Sequence, residues 1–344
     1  MKNILCLLVL FSSSISYSQI STISATDGSI LITPRGLQGK TNSISPTNAG
    51  LGNDVLKNNT TGSNNTAIGV NSLTNNTFGS YNTATGFNSL GNNTTGIYNT
   101  ATGYYSLSNN TTGTLNTAIG VNSLENNITG YNNTSIGYSS LNSNTSGNFN
   151  TASGVSSLNK NTTGISNTAN GYISLYSNTT GNFNTANGVE SLRYNTTGSQ
   201  NTANGYQSLY SNTTGSANSA TGYNALFYNT TGFNNTANGF NSLFNNTEGF
   251  YNTANGFQAF YSNTTGIQNT ANGTLSLYSN STGNNNTANG FQALYSNTTG
   301  SNNTAIGNTA NVSNGALTNA TVIGANATVN ASNKVRIGMH QLQL

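Results

Sequence analysis

Charge is scarce in this sequence: only 4% of its 344 residues are Asp, Glu, Lys or Arg. Between residues 58 and 307 the only basic side chains are Lys160 and Arg193. That stretch therefore lacks the positive patch through which proteins neutralise the phosphates of nucleic acid or an anionic membrane. There is no Trp, and there are two Pro and a single His, His340, near the end. One His with no second titratable group beside it gives no acid–base pair. The single cysteine is Cys6, inside the leading apolar stretch. Once that stretch is removed, neither a disulfide nor a thiolate metal site can form.

Residues 1–18 read as an export signal. Lys2 is the positive end, Ile4 to Phe11 the apolar centre, and Ser16 and Ser18 the small residues before a cut ahead of Gln19. An apolar run of eight is too short for a membrane span, which needs about 20. Cys6 opens the apolar run instead of following it, which argues against a lipoprotein anchor. The mature chain is thus expected outside the cell or on a bacterial cell surface, with no membrane span and a net charge of +2 from seven Lys and Arg against five Asp and Glu.

What is abundant is repetition. A seventeen-residue phrase, first complete at Asn59 to Asn75, recurs without insertion up to Gly307. One glycine series runs from Gly62 to Gly300 and a second from Gly69 to Gly307, together 30 of the 39 glycines. An Asn series (Asn65 to Asn303), an Ala series (Ala67 to Ala305, Ser135 excepted) and a Leu series (Leu73 to Leu294, Phe260 excepted) keep the same beat. A composition with 69 Asn would otherwise suggest a disordered polar tract. A disordered tract has no reason to hold a leucine at every seventeenth residue, whereas a coil stacked on an identical coil does.

The phrase parses as N-T-T-G-x-x-N-T-A-x-G-Φ-x-S-L-x-x, where Φ is Val70, Phe87, Tyr104, Val121, Tyr138 and so on to Phe291. Two glycines per unit, with Asn and Thr, disfavour helix. Short extended runs cornering at Gly and Asn fit better, because both tolerate left-handed backbone. The small position after Φ-x should face inward, and Leu, Φ and Ala should share the core. One coil buries too little to stand alone, so neighbours above and below must pair its backbone, with Asn and Thr ladders between coils. The expected fold is all-β, a parallel β-solenoid of about fifteen seventeen-residue coils over residues 59–307. Residues 19–58 read as an N-terminal cap or tether, and 308–344 as a C-terminal segment with a fourteen-residue repeat, N-A-T-V-I-G at 319–324 answered by K-V-R-I-G at 334–338.

The A-I-G triplets at residues 67–69, 118–120 and 305–307, together with that tail repeat, resemble the head domain of trimeric autotransporter adhesins (YadA-like), over residues 59–338. The seventeen-residue period is longer than that family's coil. The resemblance implies a left-handed parallel β-roll, three chains side by side as a homotrimer, exposed on a bacterial surface and used for attachment to a host, matrix or glycan surface.

Enzymatic residues are few. The array holds three carboxylates, Glu125, Glu190 and Glu248. The first two are 65 residues apart, roughly 18 Å at a coil rise of about 4.8 Å, whereas glycosidase pairs need about 5 to 9.5 Å. Calcium-binding rolls require Asp where this chain has Asn, so no catalytic residue, cofactor or metal is expected. The N-T-T triplets match the glycosylation acceptor but are read as turns. Two files could bind a surface. Thr60, Thr94, Thr111, Thr145 and Thr162, with Thr66, Thr83, Thr100 and Thr117, would form hydroxyl files like those of ice-binding solenoids. The position after Leu becomes aromatic along the chain, at Tyr176, Tyr210, Phe227, Phe244, Tyr261, Tyr278 and Tyr295, and is the candidate assembly or receptor face. The expected function is an exported, non-enzymatic, adhesin-like surface or matrix fibre. The alternative is a monomeric ice- or glycan-surface-binding solenoid.

Overall fold

The computed structural model describes residues 31–33, 36–38 and 47–338, which belong to two compact units, one ending at Gly130 and one beginning at Tyr131. The expected signal (1–18) lies outside the described residues. Of the expected cap, Leu31–Thr33 pairs antiparallel with Gly36–Gln38. The described residues contain no helix; their strands are two or three residues long.

In the first unit the strands Ala49–Leu51, Thr66–Ile68, Thr83–Thr85, Thr100–Thr102 and Thr117–Ile119 pair parallel, each residue opposite its seventeenth neighbour. Coiling thus already runs through residues 47–58, where Leu56 is buried like its later counterparts and Asn48 bonds the Gly62 carbonyl at 2.8 Å. In the second unit the same parallel ladder joins Thr134–Ile136 to Thr151–Ser153 and onward to Thr304–Ile306. It then takes Thr321–Ile323 at a spacing of seventeen and Val335–Ile337 at fourteen. The shorter tail repeat is therefore a shorter coil that keeps the same sheet. Both units are parallel β-solenoids.

Strands supply only three residues in seventeen, yet the coils bond all the way round. In the coil from Thr168 to Asn184, Gly171 N donates to Ser153 O at 2.8 Å and Ile173 N to Val155 O at 3.0 Å, both on the preceding coil. Leu175 N donates to Ser191 O at 2.9 Å, Ser177 N to Arg193 O at 3.0 Å and Thr179 N to Thr196 O at 2.9 Å, all on the following coil. Backbone groups that no strand could satisfy are satisfied by the stack.

The interior is small and half polar. Ala169, Leu175 and Ser174 are fully buried, and so are Asn167 and Asn178. The two asparagines belong to separate ladders. Asn178 Nδ2 donates to Asn161 Oδ1 at 2.8 Å and to Gly181 O at 3.0 Å, while its own Oδ1 accepts from Asn195 Nδ2 at 2.8 Å. Asn167 Nδ2 donates to Asn150 Oδ1 at 3.2 Å and reaches the same Gly181 carbonyl at 2.9 Å, joining the two ladders. Each amide offers a donor and an acceptor, so identical side chains satisfy one another along the stack.

Two expectations are corrected. The Φ residues are not in the core: Tyr138, Tyr172, Tyr206 and Phe240 are exposed, because Leu, Ala and the asparagines already fill the narrow interior. Nor are the corners confined to Gly and Asn: Asn does take left-handed backbone after Φ (Asn71, Asn88) and before the buried Asn (Asn64, Asn132), but the two buried asparagine series do not, and other residues share these places. Left-handed backbone falls on the leucines (Leu175, φ 49°), on the residue after Φ (Ile173, φ 56°) and on the residue before the buried Asn of the Asn65 series (Phe183, φ 58°). Only the Gly69 series is used for its conformation, as at Gly171 (φ 133°), where an added Cβ would also lie 2.6 Å from the Gly188 carbonyl. The Gly62 series serves close approach: a Cβ on Gly181 would collide with Gly198 O and Asn178 Oδ1.

These contacts set two expectations for stability. Asn178→Ala leaves Asn161 Oδ1 and one Asn195 donor unpaired in the interior, costing about 1–3 kcal/mol for each. Asn75→Ala, in a ladder exposed to solvent (Asn75 Nδ2 to Asn92 Oδ1, 3.0 Å), should cost less than about 0.5 kcal/mol. Thermal melting of the two variants checks the difference. Ala217 is exposed with φ 56°. Left-handed backbone costs a residue with a Cβ about 1–2 kcal/mol, and glycine's extra entropy loss takes back about 0.5–1. Ala217→Gly should therefore stabilise the chain by about 0.5–1 kcal/mol, and a lowered melting temperature would contradict the corner geometry.

Candidate functional site

The seven aromatic residues after the Leu position, which is Phe260 before Tyr261, lie in the second unit, and all are half-buried. Leu at the preceding position points into the core with its left-handed backbone, which turns the next side chain onto the coil's outer edge. In-register stacking then lays ring on ring. Tyr210, Phe227, Phe244, Tyr261, Tyr278 and Tyr295 form an unbroken column with centroid separations of 4.8, 5.3, 5.2, 5.2 and 5.2 Å and planes within 16° of parallel. Because each ring covers its neighbour's face, the column turns ring edges outward.

Tyr176 is separated from this column by one coil, whose position after Leu192 is held by Arg193. The Arg193 guanidinium lies 5.8 Å from the Tyr210 ring centre and 5.2 Å from that of Tyr194, so a cation caps the column. Glu190 pairs with Arg193 and accepts from Gln207 Nε2 at 2.6 Å. Tyr176 has its own cation, Lys160, at 5.2 Å. Thus the two basic residues of the array both sit on tyrosine rings. Burial pushes the Tyr278 phenol above its ordinary value, and the neighbouring Tyr261 and Tyr295 add to the shift. Tyr210 is raised as well, first by burial and then by its hydrogen bond with Tyr194, while Arg193 pulls the other way.

A second aromatic file lies at the Φ positions, which hydrophobicity alone places in the core. Tyr206, Tyr223, Phe240 and Phe257 stack at 5.0, 5.1 and 5.3 Å and remain 42–47% exposed. The available signal was that Leu occurs in every coil, which leaves little room in a narrow interior for a second large side chain.

The threonine files differ from each other. The hydroxyls of Thr60, Thr94, Thr111, Thr145 and Thr162 each donate to a carbonyl of the following coil at 2.7–3.1 Å. Thr66, Thr83, Thr100 and Thr117 instead flank a buried Ala on a strand and face outward. In the second unit the outward strand positions are often Thr and Asn, with amides laddered as in Asn238 to Asn255 and Asn255 to Asn272, both at 2.8 Å.

The inner asparagines of the N-T-T triplets, such as Asn178 and Asn195, are fully buried and bonded, so their amides are out of reach of a glycosyl donor in the folded chain. Among the described residues no three His, Cys, Asp or Glu side chains gather where they could hold a metal, and no helix is long and apolar enough to cross a membrane. No protein-family model matches this sequence, and no curated protein matches it either.

The raised phenols give a pH dependence. A phenol whose folded value lies above its unfolded value of 10.0 stabilises the fold fully below that value and progressively less as pH climbs toward the folded one. Melting temperature should accordingly fall on the alkaline side of pH 10. The double variant Tyr210→Phe, Tyr278→Phe keeps the rings and loses the ionisations, so its melting temperature should decline less over that range. Equal decline in both proteins would contradict the assignment.

Proposed function

We propose that this protein is an exported, non-enzymatic, adhesin-like fibre of a cell surface or extracellular matrix. It assembles as a homotrimer and attaches through its aromatic files to a host, matrix or glycan surface. The observation that carries this reading is the exposed stack Tyr206, Tyr223, Phe240 and Phe257 on a scaffold whose interior is already closed. The leucines, alanines and inner asparagines are buried within one chain. The outer rings are therefore not needed to complete the core, and soluble monomers rarely leave contiguous apolar stripes uncovered. The column from Tyr210 to Tyr295 supports the same reading in a different way. Its ring faces are spent on one another, so a partner meets ring edges, which suits flat packing against another chain better than sandwiching a sugar ring. Repetition makes weak contacts add, so a periodic surface can be held by avidity.

A second reading is favoured by the outward Thr and Asn positions of strands such as Thr236–Asn238 and Thr253–Asn255, which offer regular hydroxyls and amides on a flat sheet. In that reading the chain works as a monomer on ice or a crystalline glycan.

Two sets of substitutions to Ser test the proposal, read by solution mass and by attachment. Changing Tyr206, Tyr223, Phe240 and Phe257 should dissociate the oligomer or abolish attachment while shifting the melting temperature little. Changing Tyr210, Phe227, Phe244, Tyr261 and Tyr278 should also lower the melting temperature, because these rings are half-buried and lose more contact than the exposed file does. Unchanged mass and attachment in both sets would refute the adhesive reading. Freezing-point hysteresis that disappears on replacing Thr202, Thr236 and Thr253 by Lys would establish the second reading in its place.

A further inference from the structure

Coil stacking brings tyrosines that are seventeen residues apart into face contact. Tyr81 and Tyr98 in the first unit have ring centres 4.9 Å apart with planes 11° from parallel, and both rings are 51% exposed. Tyr206 and Tyr223 in the second unit lie 5.0 Å apart at 12°, also exposed. Tyr261, Tyr278 and Tyr295 stack in the same way but are half-buried, which keeps an oxidant from their faces. At the Φ position that Tyr206 and Tyr223 occupy, Tyr138 and Tyr172 have no such partner. Tyr138 and Tyr172 lie one coil on either side of Val155, and Val121 and Val189 occupy the next Φ positions beyond them. Both are as exposed as the stacked pairs. The chain also has few competing sinks for an oxidant: no Trp, one Cys at Cys6, and methionines only at Met1 and Met339.

We propose that Tyr81–Tyr98 and Tyr206–Tyr223 are sites of oxidative tyrosine–tyrosine cross-linking, at which a peroxide acting through a one-electron oxidant such as a haem peroxidase staples adjacent coils covalently. Each phenol gives up one electron and its hydroxyl proton. The two phenoxyl radicals pair their electrons in one new carbon–carbon bond between ring carbons ortho to the oxygens. Radical coupling proceeds through the ring faces, and the stacked rings present those faces to each other. The two ortho hydrogens then move to the oxygens and restore both phenols. The chain loses two electrons and two protons per link, and hydrogen peroxide takes them up to become two waters. The staple joins residues that the fold already holds together, so it closes a seventeen-residue loop and opposes peeling of one coil from the next. The proposal does not depend on what the fibre attaches to.

The test treats the full chain with hydrogen peroxide and a haem peroxidase, then maps cross-linked peptides by mass. The expected products are Tyr81–Tyr98 and Tyr206–Tyr223 links, each two hydrogens lighter than the separate peptides. They should outnumber links involving Tyr138 or Tyr172 by at least about tenfold, since pre-positioned partners react as if highly concentrated. Tyr98→Phe keeps the stack but should remove the first link and leave the second. Val155→Tyr should create new links to Tyr138 and Tyr172. Denaturing the chain before oxidation should erase the preference. Links distributed according to exposure alone, chiefly between chains, or absent at both pairs would overturn the proposal. So would a Val155→Tyr variant that folds, as judged by unchanged melting, and gains no link.

Discussion

Everything in this molecule depends on identical side chains meeting themselves once per coil. A group placed at any position of the repeat is stacked on its own copy, so only groups that tolerate self-contact can fill the files. Asparagine does so well, because its amide donates on one side and accepts on the other, as Asn161, Asn178 and Asn195 show. A carboxylate or ammonium in the same file would face its own charge along the whole stack. The 4% charge content follows from this constraint. The few charges that occur in the array include Arg193 and Glu190, which neutralise each other, and Lys160 and Arg193, which rest on rings.

The same constraint accounts for the backbone. A closed coil of seventeen residues needs several sharp corners, and this chain makes most of them with residues that carry a Cβ, including Leu175, Ile173 and Phe183. Each such corner costs about 1–2 kcal/mol. It persists because the corner amide is bonded to a neighbouring coil, as Ile173 N is to Val155 O and Leu175 N to Ser191 O. At the leucine the left-handed backbone also aims the largest apolar group of the repeat inward. Phe260, with Ala259 replacing the usual Ser before it, takes the same corner and is equally buried, so the site selects for a large apolar side chain more than for leucine as such.

With the interior complete, the outer positions are free to vary, and they divide by what stacking makes of them. Hydroxyls near a corner bond the next coil's carbonyl, as Thr94 does to Thr111, and are structural. Hydroxyls on strands face solvent. Aromatic rings on the outer edge stack into columns that add contact between coils and leave apolar edges exposed, and the second unit concentrates them. Surface chemistry here is consequently a matter of files, and a single substitution interrupts a file without altering the scaffold.

The sequence by itself determined the parallel solenoid, its seventeen-residue register, the inward Leu, Ala and Ser positions and the run of aromatic residues after the Leu position from Tyr210 to Tyr295. All of these are periodic, and period is visible in one dimension. It showed that Asn recurs, but not that Asn167 and Asn178 feed two different buried ladders sharing the Gly181 carbonyl, because that depends on which amides face each other across the coil. Only the tertiary structure decided that Φ lies outside. Val, Phe and Tyr read as core by hydrophobicity, and only the cross-section shows that one Leu, one Ala and two Asn have already filled the space. It also decided which rings touch. Tyr81 and Tyr98, at one place in successive coils, stack face to face, whereas Tyr131 and Phe149, one position out of register, meet edge to face, because only a shared corner holds both rings at the same angle.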